Sequence, residues 1–171
     1  MNAVFRRRSA RPLLAAAAAL TVAAMGAGLY LQYAVGLEPC PLCVLQRVGF
    51  VLAGLIALLG ALAARGRVAQ IVASLLALVA TLAGGGVAVW HTWLTMFPPA
   101  SFSCGRPFEW FHDDFLLAVW LPKLFRGAGD CLHQNWTLLG LSIPQWSVLV
   151  FAALLALLVA ALMRCWRLRA Q

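Results

Sequence analysis

The sequence predicts an all-α membrane protein, a four-transmembrane-helix bundle with a long outer loop carrying a short interfacial helix. Three observations predict it. Of the 171 residues, 64% are apolar and only 11% are charged, whereas an ordinary soluble domain carries about 25% charged residues. Four stretches reach the roughly 20 apolar residues that a helix needs to cross the hydrocarbon core. Basic residues cluster beside and between these stretches. The net charge of +8 therefore reads as membrane topology, not as a nucleic-acid surface.

The first span covers about 13–33. A secretory signal is its alternative reading, because Arg6, Arg7 and Arg8 precede an alanine-rich run. The run is long for a signal core, and three further spans follow, which favours a retained helix. The second and third spans cover about 44–64 and 68–90, and the fourth about 146–163. Gly84, Gly85 and Gly86 in the third span suit close helix packing.

Charge sets the orientation. Arg6, Arg7, Arg8 and Arg11 precede the first span, Arg65 and Arg67 join the second to the third, and Arg164, Arg167 and Arg169 follow the fourth. All five acidic residues (Glu38, Glu109, Asp113, Asp114 and Asp130) fall on the other side. The positive-inside rule puts both termini and the Arg65–Arg67 turn in the cytoplasm. Two loops, about 34–43 and 92–145, then face outward as parts of a single membrane domain, 1–171.

Four of the five cysteines lie in those outer loops: Cys40 and Cys43 in the first, Cys104 and Cys131 in the second. Disulfides persist on the oxidising side of a membrane. Cys40-Pro41-Leu42-Cys43 opens the second span, with Pro41 suited to a first helical turn. Unpaired N–H groups at a helix start stabilise a thiolate. Arg47 follows Cys43 by four residues, so both can share one helical face. A guanidinium just below the membrane surface needs a partner, for which a thiolate or a quinone oxygen would serve. Haem attachment would require His where Val44 stands. A zinc site would need four thiolate or imidazole ligands, which Cys104 and Cys131 could complete. A structural disulfide is the remaining alternative, though closing so short a loop constrains the unfolded chain little.

Cys104 and Cys131 are separated by 26 residues. Between them, Phe108 to Leu117 and on to Phe125 is aromatic and too charged to span. Its apolar spacing predicts an amphipathic helix in the headgroup region, with an ordinary folded loop as the alternative.

Four spans with both termini inside, Cys-x-Leu-Cys with Arg47 four residues on, and a second cysteine pair in the second outer loop together resemble the disulfide bond formation protein B family. Trp90-His91-Thr92, Gly129-Asp130-Cys131, Gly140-Leu141 and Pro144-Gln145-Trp146 fit as well. The likeness covers nearly the whole chain. It implies an inner-membrane thiol oxidase that reoxidises a periplasmic thioredoxin-fold partner, DsbA, and passes the electrons to ubiquinone or menaquinone. By the resemblance, Cys40–Cys43 is the quinone-linked disulfide, with Cys43 next to the ring. Cys104–Cys131 is the shuttle disulfide, with Cys104 the sulfur the partner attacks. Arg47 and His91 correspond to polar residues around the quinone head. Gln46 has no essential role there, and Cys165 has no counterpart. Two rivals are a reductase related to vitamin K epoxide reductase, which would carry its C-x-x-C near the end of a late helix, and a zinc-binding membrane scaffold.

Overall fold

The computed structural model describes residues 9–64, 66–99, 129–132 and 136–167. Four helices dominate: α1 (Arg11–Tyr33), α2 (Pro41–Leu62), α3 (Arg67–Met96) and α4 (Ile143–Arg167). All four are long and apolar enough to cross a membrane, so the architecture is the four-helix membrane bundle that the apolar runs predict. Cys104 and the aromatic segment expected to lie at the interface fall outside the described residues.

Three of the helix ends that differ from the apolar runs do so for a clear local reason. α2 starts at Pro41, ahead of the expected 44, because proline fits the first turn and the Cys40 sulfur caps it. α3 continues past 90 to Met96. Nothing breaks it until Pro98, which disfavours helical backbone at Phe97. His91 therefore lies inside a helix. α4 begins at Ile143 with Pro144 in its first turn, where the missing N–H costs no bond.

A hairpin that the sequence reading did not anticipate leads into α4. Strands β1 (Thr137–Leu138) and β2 (Leu141–Ser142) pair antiparallel, Leu138 opposite Leu141. The two turn residues, Leu139 and Gly140, both have positive φ, 53° and 79°, the geometry that two-residue hairpins require. The Trp146 indole donates to the Leu138 carbonyl at 3.1 Å and seats the hairpin on the helix.

Small residues bring the helices together. Ala17, Ala57, Ala61, Ala77 and Ala88 are all buried between helices, as in membrane bundles where backbones approach closely. Gly84 is one such close approach: a Cβ there would sit 2.6 Å from the Phe151 ring and 3.1 Å from Gly49 Cα. Phe151 in turn stacks on Phe50 with ring centroids 4.0 Å apart. Gly86, in the same triple, faces open space, so close packing accounts for part of the run only. Val22, Leu52, Leu59, Val79 and Leu82 point outward, the surface expected of a protein solvated by lipid tails.

The two ends of the bundle are chemically unlike. At one, the buried Gln70 amide accepts from Ala10 N at 3.1 Å and donates to the Ala64 carbonyl at 3.3 Å. Arg11 donates to the Leu62 carbonyl beside it at 2.9 Å. Cys165 is buried there, its sulfur 3.9 Å from Gln70 Oε1. The other four-helix end carries Cys40, Cys43, His91 and Cys131.

Candidate functional site

Cys40 is the N-cap of α2, with extended backbone, and its sulfur accepts from Cys43 N at 3.2 Å. Both residues are free thiols with their sulfurs 2.6 Å apart. Cys40 is fully buried, while Cys43 is partly exposed. Burial, and then the neighbouring Cys43 sulfur, push the Cys40 thiol far above its ordinary range.

Cys131 belongs to the segment between α3 and α4 yet sits against the one between α1 and α2. It is fully buried and disulfide-bonded, its partner lying outside the described residues. Two grips hold it in place. Gly129 N donates to the Pro39 carbonyl at 3.0 Å, and the two chains run so close that a Cβ on Gly129 would collide with the Glu38 carbonyl. Next, Asp130 Oδ1 accepts from Leu132 N at 2.9 Å and turns the chain around Cys131.

The second grip is His91. It is completely buried, although the end of an apolar run suggested an interfacial position. Gln46, itself 3% exposed, donates from Nε2 to His91 Nδ1 at 3.1 Å. With Nδ1 accepting, Nε2 carries the proton and donates to the Cys131 carbonyl at 3.1 Å. The same nitrogen lies 3.8 Å from Cys40 Sγ. Cys40, His91 and Cys131 thus bring three donor atoms within 4.8 Å of one another. Gln46 was set aside in the sequence reading, and here it orients the central imidazole. The signal was available: an amide inside an apolar span is costly unless something pairs with it.

Arg47 is half-buried and turns toward α1, where it donates to Gln32 Oε1 at 2.7 Å and to the Gly28 carbonyl at 3.4 Å. The partner expected for it was a thiolate or a quinone oxygen. A small, partly open cleft lies between α1, α2 and the start of α4. Cys43, Gln46 and Arg47 line it together with Gly28, Gln32 and Phe50. His91 is not among its lining residues. The structure therefore brings Cys43 and Arg47 to one cleft, and His91 with Cys40 and Cys131 to the buried side of the same helix start.

The family model described as "Disulfide bond formation protein DsbB" matches residues 10–161. A disulfide bond formation protein B from Azoarcus sp. is 45% identical over 161 residues, covering 94% of this chain and 93% of the relative. Its namesake from Aromatoleum aromaticum is 43% identical over 155 residues, covering 90% and 93%. Another from Verminephrobacter eiseniae is 45% identical over 158 residues, covering 92% and 88%. With four membrane-length helices and a buried sulfur cluster at one end, this chain belongs to the DsbB family.

Proposed function

We propose that this multi-pass membrane protein is a disulfide-forming oxidoreductase that reoxidises a DsbA-like periplasmic dithiol protein and delivers the electrons to membrane quinone. One observation carries the reading. The sulfur of Cys131, from one outer segment, is packed beside Cys40, whose neighbour Cys43 opens onto a cleft with a fixed cation.

Electron flow can be followed residue by residue. Cys131 is fully buried, so a thiolate carried by another protein must attack its disulfide partner, which the family resemblance assigns to Cys104. The freed Cys131 thiolate then attacks Cys40 of a Cys40–Cys43 disulfide. Cys43 leaves as a thiolate at the first turn of α2, where unpaired N–H groups favour negative charge. The buried Cys40, whose thiol resists ionisation, is the poorer leaving group of the two. His91 works on the sulfur side of this path by holding the Cys131 carbonyl over Cys40.

The cleft suits a quinone head. Its walls are mostly apolar, and Arg47 is pinned by Gln32 and Gly28 so that its charge stays in place. A preset charge costs no reorganisation when an anionic oxygen develops beside it. Ubiquinone or menaquinone would supply the two-electron, two-proton acceptor. Such an acceptor is required because the DsbA-type disulfide/dithiol couple is itself strongly oxidising, at about −120 mV, which leaves its dithiol a weak reductant. The basic end of the bundle, with Arg11, Arg67 and Arg164, would face the cytoplasm and the sulfur end the periplasm of a bacterial inner membrane.

The test is partner oxidation by protein purified in quinone-stripped detergent. The expected result is at most two dithiols oxidised per chain, one for each of its disulfides, the chain then stalling with reduced cysteines, and recovery when quinone is added back. Undiminished multiple turnover without quinone would overturn the reading.

A further inference from the structure

The three donor atoms around His91 have a use that electron transfer does not exhaust. Cys40 Sγ, His91 Nε2 and Cys131 Sγ all lie within 4.8 Å of one another, and all three residues are buried. The Cys40–His91 separation, 3.8 Å, is close to the edge of a tetrahedron of sulfur and nitrogen around zinc, where bonds of about 2.0–2.3 Å give edges of about 3.5–3.8 Å. Cys43 Sγ, 2.6 Å from Cys40 Sγ, is the nearest donor for a fourth position. These residues come from the start of α2, the outer end of α3 and the second outer segment, so closure of the fold assembles them.

We propose that reduction of the Cys131 disulfide turns this cluster into a binding site for a thiolate-seeking metal ion, with Zn²⁺ as the representative ion and Cys40, His91 and Cys131 as ligands. While Cys131 is disulfide-bonded, its sulfur is not available as a thiolate, and the site is closed. A dithiol supplies the two electrons and two protons that open it: the dithiol becomes a disulfide, and Cys131 and the sulfur it was bonded to each become a thiol. Each thiol that then binds the ion releases its proton. On His91 the proton moves from Nε2 to Nδ1, and a half-turn of the Gln46 amide presents Oε1 to accept it. A hydrogen-bonded imidazole of this kind is the usual outer support of a metal-binding histidine. The bound ion uses the Cys40 and Cys131 sulfurs as ligands, so neither can return to a disulfide, and the chain is held in its reduced state.

The test uses full-length protein in detergent, reduced with a water-soluble phosphine, freed of excess reductant and titrated anaerobically with Zn²⁺ against a chromophoric chelator. The expected result is one Zn²⁺ per chain, bound at least about 100-fold more tightly than by oxidised protein. His91→Ala and Cys131→Ser should each weaken binding at least about tenfold, and Cys165→Ser should leave it unchanged. Co²⁺ added to the unmutated reduced chain should give the intense visible bands of a tetrahedral site with thiolate ligands, a readout that needs no variant. Equal affinity in both redox states, full affinity in both His91→Ala and Cys131→Ser, or the weak bands of octahedral cobalt would each overturn the proposal. Neither quinone nor partner protein enters the measurement, so its failure would leave the electron-transfer reading standing.

Discussion

Gln46 donates to one nitrogen of His91, and the other nitrogen holds the Cys131 carbonyl. Replacing Gln46 with Leu leaves a buried imidazole nitrogen without its donor, at a cost of about 1–3 kcal/mol, and releases the ring to adopt either tautomer. In stopped-flow turnover, Gln46→Leu is expected to lower kcat while KM for the dithiol partner stays the same. A change confined to KM would place Gln46 at the partner surface instead. Cys40 offers a second check. A thiol pushed up by burial stays protonated at neutral pH, and its thiolate appears only as pH climbs past its raised value. In the reduced chain its alkylation, followed by mass spectrometry, should keep accelerating well above about pH 8.5, where an ordinary cysteine is half-ionised. A plateau below that pH would contradict the burial. The paired cysteine positions and Arg47 stood out in the sequence because each residue type is unusual near lipid. The Gln46–His91 pair did not, because its partners are 45 residues apart and meet only through helix packing.

Helix packing turns on single atoms at Gly84. Gly84→Val would drive a branched side chain into Phe151 and the Gly49 backbone. Overpacking of this kind costs about 1–3 kcal/mol, to be read as a lower thermal midpoint in detergent. Gly86→Val, facing open space, should leave that midpoint unchanged. The four helices were legible from length and hydropathy alone. Their ends were legible only in part: Pro41 marked a first helical turn, but an apolar count does not register a proline tolerated at position 144 or Pro98 stopping α3 late. The β1–β2 hairpin was hidden because its strands are two residues long, too short for any alternating pattern.

At the scale of the molecule, the bundle is polarised, with a basic end tied by Gln70 and a sulfur end holding Cys40, His91 and Cys131. This polarity was legible in the spacing of the arginines. It predicts that, in intact spheroplasts, a cysteine introduced at Leu139 reacts with an impermeant maleimide, whereas one introduced at Val68 does so only after lysis. Both positions are well exposed, at 86% and 73%, so burial would not explain a failure to label. Equal labelling of the two before lysis would defeat the orientation. What no pattern in the sequence announced is how the segment between α3 and α4 returns to the one between α1 and α2. The contact of Gly129 with Pro39 is made by backbone atoms.

That contact has an evolutionary consequence. Gly129 N grips a carbonyl, and the His91 ring also ends on a carbonyl, so neither grip depends on the side chains of the long stretch between Cys104 and Gly129. Sequence there can drift while the sulfur junction stays in register, because both ties end on main-chain oxygens.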